Sequence, residues 1–188
     1  MRIISGSFKG KKISQPKDNK TRPLKDLVKE SIFNIISHSN KFTISLNKSN
    51  ILDLFSGVGS FGIECLSRGA KKVVFVENYS EALVILKKNL NSLKSVKNYE
   101  ILEKDAYSID RLSIINDKFD LIFLDPPFKD RNSSNLLINI SEKKLLNKNG
   151  LVILHIHINE NELHLQNFEI VEEKNYGMSK IIFLSNLN

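Results

Sequence analysis

The chain alternates between short apolar runs and longer segments whose apolar residues recur every three to four positions. The runs ILDLF (51–55), KVVFVE (72–77), YEILEK (99–104), DLIFLD (120–125) and LVILHIHI (151–158) are compact and rich in β-branched or aromatic residues, which predicts strands. Two further strands are expected near 168–172 and 180–185. A helix is expected after Pro23, a residue suited to a first helical turn, where Leu24, Leu27, Val28, Ser31, Ile32, Ile35 and Ile36 make one stripe. Another is expected over 79–93, with Ala82, Leu86, Leu90 and Leu93 as its apolar face and Asn78 and Glu81 spaced as in a capping box. Residues 1–13, MRIISGSFKGKKI, read as two short, exposed strands around Gly6, with polar connections at 14–22 and 39–49.

Strands that are nearly all apolar and separated by helices require a parallel sheet covered on both faces. The last two strands are separated only by EEKNYGMS, too short for a crossover helix, so they should pair as an antiparallel hairpin. The predicted fold is a doubly wound α/β sheet, mostly parallel and seven-stranded, with an antiparallel C-terminal hairpin and a basic N-terminal hairpin and helix. A single domain over 1–188 is expected, with 1–22 as an N-terminal extension and 23–188 as a Rossmann-like core.

Charge changes this picture. Residues 1–50 carry eleven Lys and Arg against three Asp and Glu, or +8, whereas 51–188 carry seventeen against eighteen, or −1. The whole basic excess lies in the first quarter of the chain, as in a polyanion-facing segment joined to a near-neutral domain. Arg2, Lys9, Lys11, Lys12 and Arg22 are the candidates for phosphate contacts. One cysteine, Cys65, excludes an intramolecular disulfide and reads as a small buried residue. No run of eighteen apolar residues predicts a membrane span, and a cytoplasmic protein is expected.

Candidate chemistry clusters at predicted strand ends. DLFSGVGSFG (53–62) places Gly57, Gly59 and Gly62 in a G-x-G-x-x-G pattern after the first sheet strand, where backbone must turn sharply and approach a ligand. Glu77 ends the next strand, twenty residues after Gly57, where an acid can accept from ribose hydroxyls. A dinucleotide or S-adenosylmethionine could lie there. Asp53 would meet the ammonium of a methionine moiety, and Asp105 an adenine amino group; both favour the second ligand. In FDLIFLDPPF, the strand must stop at Asp125, because Pro126 and Pro127 cannot extend a ladder. An exocyclic amino group on a base is a poor nucleophile, its lone pair being delocalised into the ring. The Asp125 carboxylate and the Pro126 carbonyl could accept from its two N–H bonds, with Phe128 as a stacking platform. No metal is required for such a step.

DLFSGVGSFG, FVEN, EKDAY and LDPPF, in that order, resemble the Rossmann-like amino methyltransferases that use S-adenosylmethionine. MRIISGSFKGKKI, TRPLKDLVKESIFNII and GIECLSRGA narrow the resemblance to the bacterial 16S rRNA guanine-N2 methyltransferases that modify guanine 966. Phe8 and Leu24 depart from that family's pattern, where Trp and Thr are usual. The resemblance implies a class I methyltransferase fold with S-adenosylmethionine as cofactor and S-adenosylhomocysteine as product. It implies a monomer acting on 16S rRNA of the small ribosomal subunit. Asp53, Phe55, Gly57, Gly59, Glu77, Asn78, Asp105 and Ala106 would then hold the cofactor, and Asp125, Pro126, Pro127 and Phe128 the target base. The same motifs also admit a DNA adenine or cytosine amino methyltransferase, and the glycine loop alone a dinucleotide-dependent oxidoreductase. His155 and His157 share one face of a strand and read as surface or hydrogen-bonded residues rather than metal ligands.

Overall fold

A computed structural model describes residues 1–17, 24–111, 118–130, 132–160 and 162–187, with backbone only at 109–111. Arg22 and Pro23 lie outside the described residues. In chain order the elements are α1 (Asp26–His38), β1 (Asn50–Leu54), α2 (Ser60–Ser67), β2 (Lys72–Glu77), α3 (Ser80–Ser92), β3 (Tyr99–Glu103), a 3-10 segment (Ala106–Arg111), β4 (Phe119–Leu124), α4 (Ser133–Glu142), β5 (Leu146–His157), β6 (Phe168–Tyr176) and β7 (Ser179–Asn186). The seven strands form one sheet in the order β3-β2-β1-β4-β5-β7-β6. β1 to β5 are parallel, and β7 pairs antiparallel with both β5 and β6. Strand order reverses between β1 and β4, so the crevice outside their carboxyl ends is where such a sheet binds ligands.

Side-chain alternation sorts the core into two layers. Ile51, Val73, Phe75, Leu121, Phe123, Leu151 and Ile153 face α1, α2 and α3, while Leu52, Leu54, Val74, Val76, Ile122, Leu124 and Leu154 face α4. On the first face, stacked rings run from α1 through α2 to β4. Phe33 and Phe61 lie 5.1 Å apart, and Phe61 and Phe123 4.0 Å apart.

Two local expectations fail, the first for a long-range reason and the second for a local one. The buried face of α1 comprises Val28, Lys29, Ile32, Phe33 and Ile36, whereas Leu27 is 71% exposed. A lysine displaces a leucine from the core because its Nζ donates to the Arg2 carbonyl at 2.7 Å. The Asn78–Glu81 capping box does not form either: Tyr79 is the N-cap of α3, and no side chain caps it. Glu77 instead accepts from the Asn78 and Tyr79 N–H groups, at 3.0 and 2.8 Å.

The basic N-terminal segment is built into the domain. Its strands reduce to a single bridge between Arg2 and Lys12, and Ile3 and Ile13 are buried. Fully buried Glu64 of α2 accepts from the Ile4 and Ser5 N–H groups, at 2.7 and 2.9 Å, and from Arg68 Nε at 2.8 Å. Gly6 is required by close approach: φ is +81°, and a Cβ there would lie 1.9 Å from the Ser67 carbonyl oxygen. Burial lowers the pKa of Lys29, opposed by the nearby carboxylates of Glu64 and Asp26.

Candidate active site

The chain leaves β1 through Phe55, whose φ of +61° is unusual for a bulky residue, and then through Gly57 and Gly59, at +53° and +84°. Gly59 N-caps α2. A Cβ on Gly57 would meet nothing within 4 Å, leaving open space beside its backbone. Gly62 serves packing instead, since a Cβ there would lie 2.3 Å from the Phe75 ring. The loop is pinned from β2: Gly57 N–H donates to Glu77 Oε2 at 2.6 Å, and Ser56 N–H to the Val76 carbonyl at 3.0 Å. Glu77 therefore holds the glycine loop closed as well as facing the crevice, with one lone pair of Oε2 left to accept from a ligand.

Beside the loop is a cleft of about 210 Å³ lined by Phe55, Glu77, Asn78, Asp105, Ala106, Tyr107 and Pro127, among others. It brings together five of the expected cofactor residues from three separate stretches of chain. Asp53, Gly57 and Gly59 do not line it. Asp105 Oδ1 accepts from the Tyr107 N–H at 3.0 Å, which starts the 3-10 segment with the carboxylate held at the cleft wall. The Tyr107 ring meets Phe55 edge-on at 5.0 Å, and its hydroxyl donates to Asp130 Oδ2 at 3.1 Å. Burial, then that hydrogen bond, raise the Tyr107 pKa, so the phenol stays protonated.

Asp53 is 1% exposed, and its Oδ2 accepts from the Gly62 N–H at 3.0 Å. Burial pushes its carboxyl well above the usual range; the Gly62 hydrogen bond opposes this, and the charges of Asp125 and Glu77 reinforce it. Three carboxylates from β1, β2 and the end of β4 thus converge on one edge. A cation among them would relieve their mutual repulsion, whereas an anionic pyrophosphate would add to it.

At the end of β4, Pro126 is buried, Pro127 is exposed, and Phe128 is partly buried. The turn is closed by the Asp130 N–H donating to the Pro127 carbonyl at 2.8 Å. Behind it stand the two histidines of β5. His155 is 1% exposed, and its Nδ1 lies 2.9 Å from Asp125 Oδ1. The Phe128 ring meets both imidazoles nearly at right angles, with centroids 5.4 Å away in each case. Histidines that the sequence presents as bystanders are therefore packed against the DPPF turn. The signal was their alternation in LHIHI, which places both on the α1–α2 face. Cys65 is fully buried, and burial raises its thiol pKa well above the usual value.

Of the candidate phosphate-binding residues, Arg2, Lys9 and Lys12 are exposed, and Lys11 is partly buried with its Nζ donating to the Ser92 carbonyl. Ser67 and Ser92 end α2 and α3, so the hairpin tip lies at the far end of both helices from the glycine loop. For α2 that is about 12 Å of helix.

A glycine loop, an acid at or near the carboxyl end of each of the first four strands and a DPPF turn at the switch point of this sheet define a class I methyltransferase fold. Comparisons with known proteins agree. The family model described as Conserved hypothetical protein 95 matches residues 1–185. "Putative rRNA methyltransferase YlbH" of Bacillus subtilis is 34% identical over 96% of this chain and 96% of its own length. "Ribosomal RNA small subunit methyltransferase D" of Haemophilus influenzae is 32% identical over 95% of this chain and 90% of its own. The solved structure "Putative methyltransferase yhhF from Escherichia coli" superposes with a TM-score of 0.84 at 25% identity, over 99% of this chain and 97% of that one. The chain belongs to the Conserved hypothetical protein 95 family, a family of rRNA methyltransferases.

Proposed function

We propose that this chain transfers a methyl group from S-adenosylmethionine to the exocyclic N2 of a guanine in 16S rRNA of the small ribosomal subunit. The observation that carries this reading is the convergence of Asp53, Glu77 and Asp125 on one crevice, beside open space at Gly57. Such a setting suits a ligand with cationic sulfonium and ammonium groups. When bound, the cofactor supplies an electrophilic methyl group.

Phe55, Ala106 and Tyr107 would flank the adenine, Asp105 would accept from its amino group, and Glu77 from the ribose hydroxyls. Asn78 would close the same wall, while Gly57 and Gly59 would lie along the methionine portion. Asp53 would act on its ammonium from beneath the loop. The Asp125 carboxylate and Pro126 carbonyl would accept from the guanine amino group, favouring a nitrogen with more lone-pair character. Pro127 stiffens that turn, and Phe128 would support the base. The guanine must be unstacked to reach the site. Arg2, Lys9, Lys11, Lys12 and Arg22 would contact phosphate, making residues 1–22 the RNA-facing part of one domain. The small-subunit assignment is supported by the Haemophilus influenzae relative's name. Among the described residues no helix is long and apolar enough to cross a membrane. We place the protein in the cytoplasm as a monomer.

The test is transfer of labelled methyl to small subunits, free rRNA and duplex DNA, with the labelled nucleoside identified. N2-methylguanosine at one rRNA position is expected. Asp125→Ala should lower the rate by about 100-fold or more, because it removes a preorganised acceptor. Label on adenine, or on DNA alone, would overturn the substrate assignment.

A further inference from the structure

We propose that His155 is a positioning residue for Asp125, fixing the acceptor of the DPPF turn before a base arrives. The inference rests on Asp125 being that acceptor.

The register creates the pair. Leu124 of β4 is opposite Leu154 of β5, so the next residue of each strand, Asp125 and His155, falls side by side on the α1–α2 face. A nearly inaccessible imidazole needs a polar partner. The carboxylate oxygen 2.9 Å from Nδ1 provides one. A carboxylate only accepts, so His155 Nδ1 carries the proton and donates. An aspartate on an irregular turn otherwise rotates broadly about its terminal torsion. Pinning Oδ1 sets the plane of the carboxylate and the direction in which the group accepts. The base of His155 is itself fixed, because it is paired with Ile181 of β7 inside the sheet. The same imidazole touches Phe128, so one ring braces both the acceptor and the stacking platform.

His157 provides the contrast. It lies on the same face and meets Phe128 equally closely, but its Nδ1 accepts from the Asn159 N–H at 3.1 Å. When neutral it therefore carries its proton on Nε2. Two histidines two residues apart are held in opposite tautomers, and the one beside Asp125 is the donor.

The experiment measures kcat and KM for methyl transfer in His155→Leu, His155→Asn, His155→Gln, His157→Leu and Asp125→Ala. Melting and S-adenosylhomocysteine affinity are measured by calorimetry on each. His155→Leu should lower kcat by about 10- to 100-fold, the scale of one hydrogen bond to a charged group, with KM for both substrates within about threefold of wild type. His155→Asn places an amide N–H near the Nδ1 position and should recover kcat to within about tenfold of wild type. His155→Gln shifts the donor outward by one methylene and should recover less than Asn; this comparison carries the test even if the Leu variant fails to fold. His157→Leu should leave kcat within about threefold. If His155→Leu folds and retains kcat within about twofold, or if Asn and Gln prove equally slow, the positioning role is overturned. If Asp125→Ala itself keeps the wild-type rate, the reading of the target site falls with it.

Discussion

Among single residues, Asp53 shows most clearly how function and stability conflict. Its folded carboxyl titrates well above the unfolded value, chiefly through burial. Between those two values the folded state holds a proton that the unfolded state has lost. Stability therefore declines as pH rises from about 4, until the folded carboxyl ionises too. Asp53→Asn keeps an acceptor for the Gly62 N–H and removes this penalty. The variant should gain stability over wild type, increasingly so with pH across that window, as measured by denaturant unfolding at pH 5, 7 and 8. Its affinity for S-adenosylhomocysteine should fall by about tenfold or more, since a buried charge facing an ammonium is lost. A variant less stable than wild type at pH 8 would contradict the linkage, and undiminished affinity would remove Asp53 from the cofactor site. Phe55, in the left-handed region at the cleft wall, is a second case of local strain at the candidate site.

At the level of elements, the strands were legible because each is a compact apolar run, the parallel ones set between helical segments and the last two joined by a short turn. The glycine loop and DPPF were legible because each is contiguous and ends a strand. His155 was not, because its partner is set by the register of β4 on β5, which no local pattern encodes. The same holds for Lys29, buried in α1 by a carbonyl from the N-terminal segment, whereas Asn78 loses the helix start to its own neighbour Glu77. Glu64 carries the largest such element-level load, linking residues 4 and 5 to α2 while facing Arg68 and buried Lys29. Glu64→Ala leaves two N–H groups and the Arg68 guanidinium without their acceptor, and buried Lys29 without a nearby carboxylate. It should cost about 3–5 kcal/mol of unfolding free energy, the range for breaking a buried charge pair. Loss of less than about 1 kcal/mol would place the clamp among ordinary surface pairs.

For the whole molecule, charge and shape divide the labour. The crevice is acidic, whereas residues 1–50 carry +8. The exposed cations at the hairpin sit a helix length away from the carboxylates, so a polyanion bound at the hairpin would not compete with a cofactor held by the carboxylates. Lys9→Ala and Lys12→Ala should each weaken binding to unrelated RNAs to a similar degree. Each should also reduce the slope of log affinity against log salt by about 1, measured by fluorescence titration from 50 to 200 mM salt. An unchanged slope would remove that lysine from the RNA surface.

The clamp on the basic segment has a consequence for synthesis. Ile4 and Ser14 pair with Glu64 and Asn89, partners 60 and 75 residues later in the chain. At roughly 5–20 residues per second, the segment is out of register with its anchors for roughly 3–15 s of translation. Throughout that interval a strongly cationic stretch lacks its Glu64 and Asn89 anchors, on a particle made largely of RNA. The nascent protein must leave that polyanion by folding, and the residues that close the fold are those of the glycine-loop helix and α3.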